Sequence, residues 1–369
     1  MNSIDRSTSN APQEVPVVLH ALKGRGAATR MAHRFERDTR AAFDDGWAAE
    51  AEGAAALRTE VIWENARSII SANDSPDIHF DRSLNPYRGC EHGCIYCYAR
   101  PTHSYLNLSP GLDFETKIIA KRNTVDLLRH EIGRKGYQPR LIAVGTATDC
   151  YQPVERELKL TRGVIEVMHE TRHPFALVTK SSGVERDIDL IAPMAAQGLA
   201  AVYVTITTLD AELARKLEPR AASPQRRLRI LKTLADAGIP CGVSLAPQIP
   251  FLNDDMEQVL EAAWEAGARE AFYHVLRLPW EVAPLFREWL QVHYPQRAER
   301  VLHRIQDMRG GKDYDADFAT RMKGSGPWAQ LLGQRFRKTA GRLGFNAKKM
   351  AFPVTHFRPP APAGQGTLF

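Results

Sequence analysis

Three of the five cysteines in this 369-residue chain fall within eight residues, at Cys90, Cys94 and Cys97. Thiolate is a soft ligand that selects zinc, copper or iron–sulfur clusters. Gly89 and Gly93 interrupt the stretch and permit backbone angles that let one short loop turn three thiols toward a common point. A closed structural zinc site wants four ligands, usually as two separated pairs. The chain has no second cysteine pair; His92 or His103 would have to complete the set, and neither has the usual spacing. Three cysteines on a four-iron cube instead leave one iron open to another ligand. A zinc knuckle or a reactive-thiol loop is the competing reading.

The elements that must position this loop follow from the apolar runs. From Pro76 the chain alternates strand and helix. Strands are predicted at 84–87, 141–144, 175–178, 201–206, 241–245 and 271–276, from continuous runs typical of buried parallel strands. Helical patterns are predicted at 115–134, 154–171, 184–197, 224–237 and 255–266, with Gly198, Gly238 and Gly267 as helix stops. Repeated βα units of this kind give right-handed crossovers and either a barrel-like sheet or a doubly wound one. In such folds chemistry sits at the carboxyl ends of the strands. That end collects Thr148, Asp149 and Cys150 after the second strand, Lys180 and Ser181 after the third, and Glu218-Pro219-Arg220 after the fourth. Thr148 and Asp149 are also good helix caps, Lys180 could snorkel from a rim, and Cys150 suits a buried thiol. His274 lies inside an apolar strand and reads as a core or mouth histidine. Cys241 begins a strand and so belongs to the opposite end.

The cysteine loop, with the aromatic Tyr96 just before its last cysteine, resembles the signature of the radical S-adenosylmethionine (SAM) enzymes. The resemblance implies an α/β fold, the partial (β/α)6 barrel of that superfamily. It implies a 4Fe–4S cluster on Cys90, Cys94 and Cys97, whose open iron binds the amino and carboxylate groups of SAM. An electron from the cluster then cleaves SAM to a 5′-deoxyadenosyl radical. The wider text, over roughly 58–279, resembles the branch related to spore photoproduct lyase, which repairs a thymine dimer in DNA. It does so through Asn73-Asp74-Ser75-Pro76-Asp77, Arg100-Pro101-Thr102-His103, Thr146-Ala147-Thr148-Asp149 and Thr179-Lys180-Ser181. The lyase proper is a narrow group, and the chain resembles a relative of unassigned substrate.

On this resemblance Tyr96 is expected near adenine, and Thr148 and Asp149 near the SAM amino group or ribose. Lys180 and Ser181 are expected to meet a carboxylate or phosphate, and Arg220 to clamp the SAM carboxylate bidentately. Cys150 is the candidate hydrogen donor to a product radical, although the lyase's cysteine precedes its Ser-Asp pair, whereas Cys150 follows Asp149. The implied partners are a low-potential electron donor of flavodoxin or ferredoxin type and, on the lyase branch, DNA. The rival activities are radical SAM modification of RNA, protein or a small metabolite, and a non-catalytic cluster protein that carries electrons or senses.

Composition bounds these readings. An apolar fraction of 44% supports a substantial core, and a formal charge of +6 permits nucleic-acid contact without demanding it. No apolar run approaches a membrane span, the first residues lack a signal core, and odd, clustered cysteines fit a reducing cytoplasm. Four regions are expected: a partly disordered extension over 1–60, a core over 61–280, a helical basic region over 281–357 and a tail over 358–369. In the extension, Gly24-Arg25-Gly26 reads as a solvated linker rather than a phosphate cradle. Helices are predicted at 282–293, 298–308 and 328–343. Arg335, Arg337, Lys338, Arg342, Lys348 and Lys349 with Phe336 and Phe345 mix base and aromatic in a way that suits nucleic acid or, equally, a solvated face. The terminal Gln365-Gly366-Thr367-Leu368-Phe369 resembles the peptide by which bacterial DNA polymerases and repair proteins dock on the sliding clamp.

Overall fold

Short runs of small and β-branched residues build one seven-stranded sheet in the computed structural model, which describes residues 21–36 and 57–361. Its strands are β2 (Ile70–Ala72), β3 (Arg82–Leu84), β6 (Ile142–Val144), β7 (Phe175–Thr179), β8 (Ala200–Thr205), β9 (Cys241–Gln248) and β10 (Glu270–Val275). They lie in the order β10-β9-β8-β7-β6-β3-β2, parallel throughout except for β2, which runs antiparallel on the edge of β3. The six parallel strands neighbour one another in chain order, so the sheet has no point where its winding reverses. That feature separates a singly wound partial barrel from the doubly wound alternative.

Register decides which face is the core. Leu177, Val202, Val204, Val243 and Tyr273 point outward into a cluster shared with the surrounding helices. The opposite face carries Ala143, Ala176, Ala201, Gly242 and Ser244, with Val178, Tyr203, Phe272 and His274 partly accessible. Small residues keep this concave face open. A Cβ on Gly242 would press into the Tyr203 ring, whose hydroxyl donates to Glu270 near the amino end of the lumen.

The outer layer comprises α2 (Thr124–Ile132), α4 (Leu160–Thr171), α5 (Ile188–Ala195), α7 (Pro224–Asp236), α8 (Met256–Glu265) and α11 (Gly326–Leu343). Two predicted helices are corrected. Residues 115–134 divide into α1 (Leu112–Thr116), β5 (Lys117–Lys121) and α2. The consecutive buried residues Ile118, Ile119 and Ala120 let β5 sit between β1 (Glu60–Glu64) and β4 (Tyr87–Arg88) in a separate three-stranded sheet. Residues 154–171 divide into α3 (Glu155–Leu158) and α4 because Lys159 takes a left-handed φ of 53°. The first predicted strand, 84–87, likewise splits between β3 and β4.

Beyond β10 come α9 (Val282–His293) and α10 (Ala298–Asp307), and then α11 returns to the barrel wall. Phe336 packs on Tyr273, Phe345 meets Trp264 edge-on, and Arg335 and Arg342 pair with Glu257 and Glu261 of α8. The aromatics of this region are therefore spent on packing against the barrel wall, while Arg337, Lys338, Lys348 and Lys349 remain exposed. Gly344 ends α11 in a left-handed conformation.

His173 is fully buried between α4 and β7, with Nε2 2.9 Å from the Tyr137 hydroxyl and Nδ1 3.1 Å from Pro174 O. Burial holds its pKa down at about 4. Between the ordinary value of about 6.5 and that value, the unfolded chain binds a proton that the folded one refuses. His173 is thus expected to lower stability as pH falls from about 6.5 toward 4, with no effect above. Urea midpoints across that range, compared with a His173→Asn protein, check this; an identical slope in both proteins would refute it.

Candidate cofactor site

The cysteine loop leaves the carboxyl end of β3 through Asn85, whose amide accepts from Ala147 N at 2.8 Å and so ties it to the loop after β6. Gly89 and Gly93 take left-handed φ values of 82° and 66°. At Gly89 a Cβ would strike His103 and Phe114 O, so only glycine fits. Cys90 and Cys94 are buried and Cys97 is half-buried, packing against both. Burial pushes the Cys90 thiol well up and the Cys94 thiol to about 12. Thiols held this way ligate only where a metal centre takes their charge. Among the described residues no three His, Cys, Asp or Glu side chains gather closely enough for a single ion. Three soft thiols packed together on one loop fit an iron–sulfur cluster with one corner left open. His103 Nε2 is engaged by Lys117 O at 3.0 Å, which removes it as a zinc ligand through that nitrogen.

Three buried polar networks hold the loop. Gln152, fully buried, accepts from Glu91 N at 2.9 Å and donates to Gly89 O at 3.2 Å. Arg100, also fully buried, donates to the carbonyls of Cys94 (2.9 Å), Gly93 (3.1 Å), Pro110 (3.1 Å) and Gly111 (3.0 Å), and pairs with Glu115. Glu115 in turn accepts from Gly26 N at 3.0 Å and Ala27 N at 2.9 Å. The Gly24-Arg25-Gly26 segment is therefore packed on the cysteine loop and is not a solvated linker. A Cβ on Gly26 would overlap the Gly93 carbonyl. The third network joins Tyr96 and Thr207, both donating to Glu218, with Arg227 in a fully buried ion pair.

The predicted site residues separate on this geometry. Lys180 stands at the mouth of β7, its ammonium 5.8 Å from the Tyr96 ring centre. Burial alone would lower its pKa, but Cys94 and then Glu218 raise it. Among the described residues it has no carboxylate at ion-pair distance. Thr148 is buried with its hydroxyl unpartnered. Ser181 caps the 182–187 turn, accepting from Gly183 N at 3.1 Å.

The other three are committed elsewhere. Asp149 accepts from Tyr151 N (2.9 Å), Thr179 Oγ1 (2.7 Å) and Lys180 N (2.7 Å), and lies 3.2 Å from His92 Nδ1, off hydrogen-bond alignment. Burial would raise this carboxyl, but His92 and the donated hydrogen bonds outweigh it and hold the pKa well below the usual range. Asp149 thus braces the loops after β6 and β7 against the cysteine loop, and its acceptor capacity is taken. Arg220, expected as a carboxylate clamp, pairs with Glu91 at 3.2 Å and donates to Thr59 Oγ1 at 3.3 Å. Cys150 is fully buried in the main core, where a Cβ on Gly145 would sit 3.0 Å from its sulfur. It is a core thiol, not a mouth residue. Cys241 lies at the amino end of β9, as its sequence position implies. Gln365, Leu368 and Phe369 lie outside the described residues.

Several functional neighbours were not legible beforehand, among them Gln152, Arg100, Glu115, Tyr98 and Arg277. Tyr98, 48% exposed, reaches from the cysteine loop to donate to Thr146 O, and the Arg277 guanidinium stands 5.4 Å from its ring. An exposed aromatic directly after a cysteine ligand was the available signal. A cleft of about 430 Å³ at Asn73–Asp81 and Leu141 lies by the amino ends of β3 and β6, away from the cysteines.

A singly wound parallel sheet with three cysteines at the carboxyl end of its first parallel strand defines a class of cluster-bearing α/β proteins. Residues 84–263, just under half of the chain, match the model of the radical SAM superfamily, whose members use a 4Fe–4S cluster and SAM. An uncharacterised protein of Mycobacterium tuberculosis is 37% identical over 60% of this chain and 66% of its own length, just under two thirds. An uncharacterised protein of Methanocaldococcus jannaschii is 28% identical over 66% of this chain and 87% of its own. Among solved structures, spore photoproduct lyase with its dinucleoside spore photoproduct aligns with a TM-score of 0.52. That alignment has 16% identity and covers 77% of this chain and 80% of the other. A variant of that lyase holding AdoMet and the photoproduct gives 0.51 with the same coverage. The likeness is one of fold. Among the described residues no helix is long and apolar enough to cross a membrane.

Proposed function

We propose that this chain is a radical SAM enzyme in which Cys90, Cys94 and Cys97 hold the cluster and Lys180 receives the SAM carboxylate. The observation that carries the reading is the position of Lys180: a cation at the carboxyl end of β7, beside Cys94 and free of any described carboxylate partner. When bound, the cluster and SAM supply reductive cleavage to a 5′-deoxyadenosyl radical. The protein's own part is to bind, orient and exclude water. Thr148, with its unpartnered buried hydroxyl, and Ser181 add donors near the same mouth. Tyr96, held by Glu218, walls the site on the adenine side. Gln152 and Arg100 tie down carbonyls and amides of the cysteine loop, which fixes the ligand geometry and the polarity around the sulfurs. Both influence a cluster's reduction potential.

The substrate proposed is a DNA lesion, by likeness of fold to the photoproduct lyase. Its setting would be the cytoplasm, with a flavodoxin or ferredoxin as electron donor and the 365–369 peptide available to the sliding clamp. The test is anaerobic incubation of the reconstituted protein with SAM and dithionite, reading 5′-deoxyadenosine with and without UV-irradiated DNA. Lys180→Met is expected to weaken SAM binding roughly tenfold to hundredfold, the worth of a hydrogen bond to a charged group, at unchanged iron content. Protein that carries four irons yet releases no deoxyadenosine would overturn the reading.

A further inference from the structure

Arg277 follows the carboxyl end of β10. Its guanidinium lies between two aromatic rings, Tyr98 at 5.4 Å and Tyr314 at 5.8 Å. Its polar contacts are weak for a charged group: NH2 donates to the Tyr314 hydroxyl at 3.2 Å, NH1 faces the Met322 sulfur at 3.5 Å, and Nε is buried without a partner. Among the described residues no carboxylate comes within ion-pair distance of it. Other mouth arginines are satisfied, Arg220 by Glu91, Arg227 by Glu218 and Arg321 by Asp77. Arg309, which donates once from each terminal nitrogen to Thr320 O and Leu276 O, and Lys323, bound to Tyr273 O, add positive charge near Arg277. Asp77, the carboxylate whose charge interacts with Arg277, is already held by Arg321.

A half-buried guanidinium without a counter-ion is costly unless an anion arrives with the ligand. Lys180 stands on β7 and Arg277 beyond β10, so two anion receptors face the lumen from different walls. SAM has one carboxylate, which the reading above assigns to Lys180. We propose that Arg277 receives a phosphodiester group of the substrate, with Tyr98 and Tyr314 flanking it as faces for the adjoining bases. Guanidinium matches phosphate oxygens through paired N–H donors, and aromatic faces beside a cation suit bases of a single or extruded strand. The inference rests on the radical SAM reading and adds to it the residue that receives the backbone of a nucleic-acid substrate.

The test uses the cluster-loaded full chain with SAM and a fluorescent short single-stranded oligonucleotide, followed by anisotropy. Arg277→Gln is expected to weaken oligonucleotide binding roughly tenfold to hundredfold and to reduce the salt slope by about 0.7, the single-strand value for one phosphate contact. Arg277→Lys, which keeps charge but loses the fork, is expected to fall between. A methylphosphonate oligonucleotide, which lacks the phosphate charge, should bind wild type and Arg277→Gln alike. Unchanged affinity in Arg277→Gln, equal losses for both oligonucleotides, or no oligonucleotide binding by the wild type would each overturn the proposal. So would a matching loss of SAM affinity, which would assign Arg277 to the SAM carboxylate. Release of 5′-deoxyadenosine by the wild type is read separately: if it persists while the phosphate test fails, only this inference falls.

Discussion

Cys94→Ala is expected to lose four-iron absorption and SAM cleavage together. On the proposed assignment each of the three cysteines supplies one corner ligand, and no other thiol is placed to replace one: Cys150 is sealed in the main core and Cys241 sits at the far end of β9. Alanine at position 94 also leaves Lys180 beside an apolar methyl in place of a thiolate, so the local charge balance fails as well. The control is Cys241→Ala, whose sulfur makes only long contacts to Leu231 O at 3.7 Å and Gly267 O at 3.6 Å. That protein should retain both properties. The comparison is read as iron content, visible absorption and deoxyadenosine released. Persistent SAM cleavage by Cys94→Ala would end the assignment of this loop as the cluster site.

The second large effect is expected on stability, from Glu115→Ala. Glu115 and Arg100 are both fully buried, and their ion pair ties the cysteine loop to α1. Glu115 also receives Gly26 N and Ala27 N, so one carboxylate holds the 21–36 segment and neutralises the arginine that organises four loop carbonyls. Breaking a buried pair by removing one partner costs about 3–5 kcal/mol, because the remaining charge is stranded. The urea midpoint should fall accordingly at an unchanged slope. Protease cleavage within 21–36 should also appear earlier than in the wild type. Glu115→Gln, which keeps an acceptor but not the charge, should lose less. A midpoint within experimental scatter of the wild type would show that Glu115 does not anchor this segment.

Both expectations depend on things of different legibility. The spacing of Cys90, Cys94 and Cys97 is a local property: the three thiols lie within one loop, so residue types and intervals suffice to mark it as a candidate cluster site. The alternation of buried strands and amphipathic helices is local as well, because each apolar run reports its own burial. That is why the predicted strands 141–144, 175–178, 201–206, 241–245 and 271–276 lie close to β6 through β10. Where local pattern and tertiary setting conflicted, the setting prevailed. Lys117–Lys121 resembles a stretch of helix until β1 and β4 offer it strand partners on both sides.

The amino-acid sequence by itself determined the cysteine loop, the parallel α/β class and the end of the strands at which that loop lies. Tertiary structure alone decided which charged groups remain available to ligands. Asp149, Arg220, Arg227 and Arg321 look as eligible as Lys180 and Arg277 when read along the chain. Their partners are His92, Glu91, Glu218 and Asp77, the most distant of them 244 residues away. A charge is free to bind only if nothing else in the fold has reached it first, and that depends on contacts between segments which the linear order leaves undefined. The same reason hid Gly26, whose closeness to Gly93 arises only when the 21–36 segment lies across the cysteine loop.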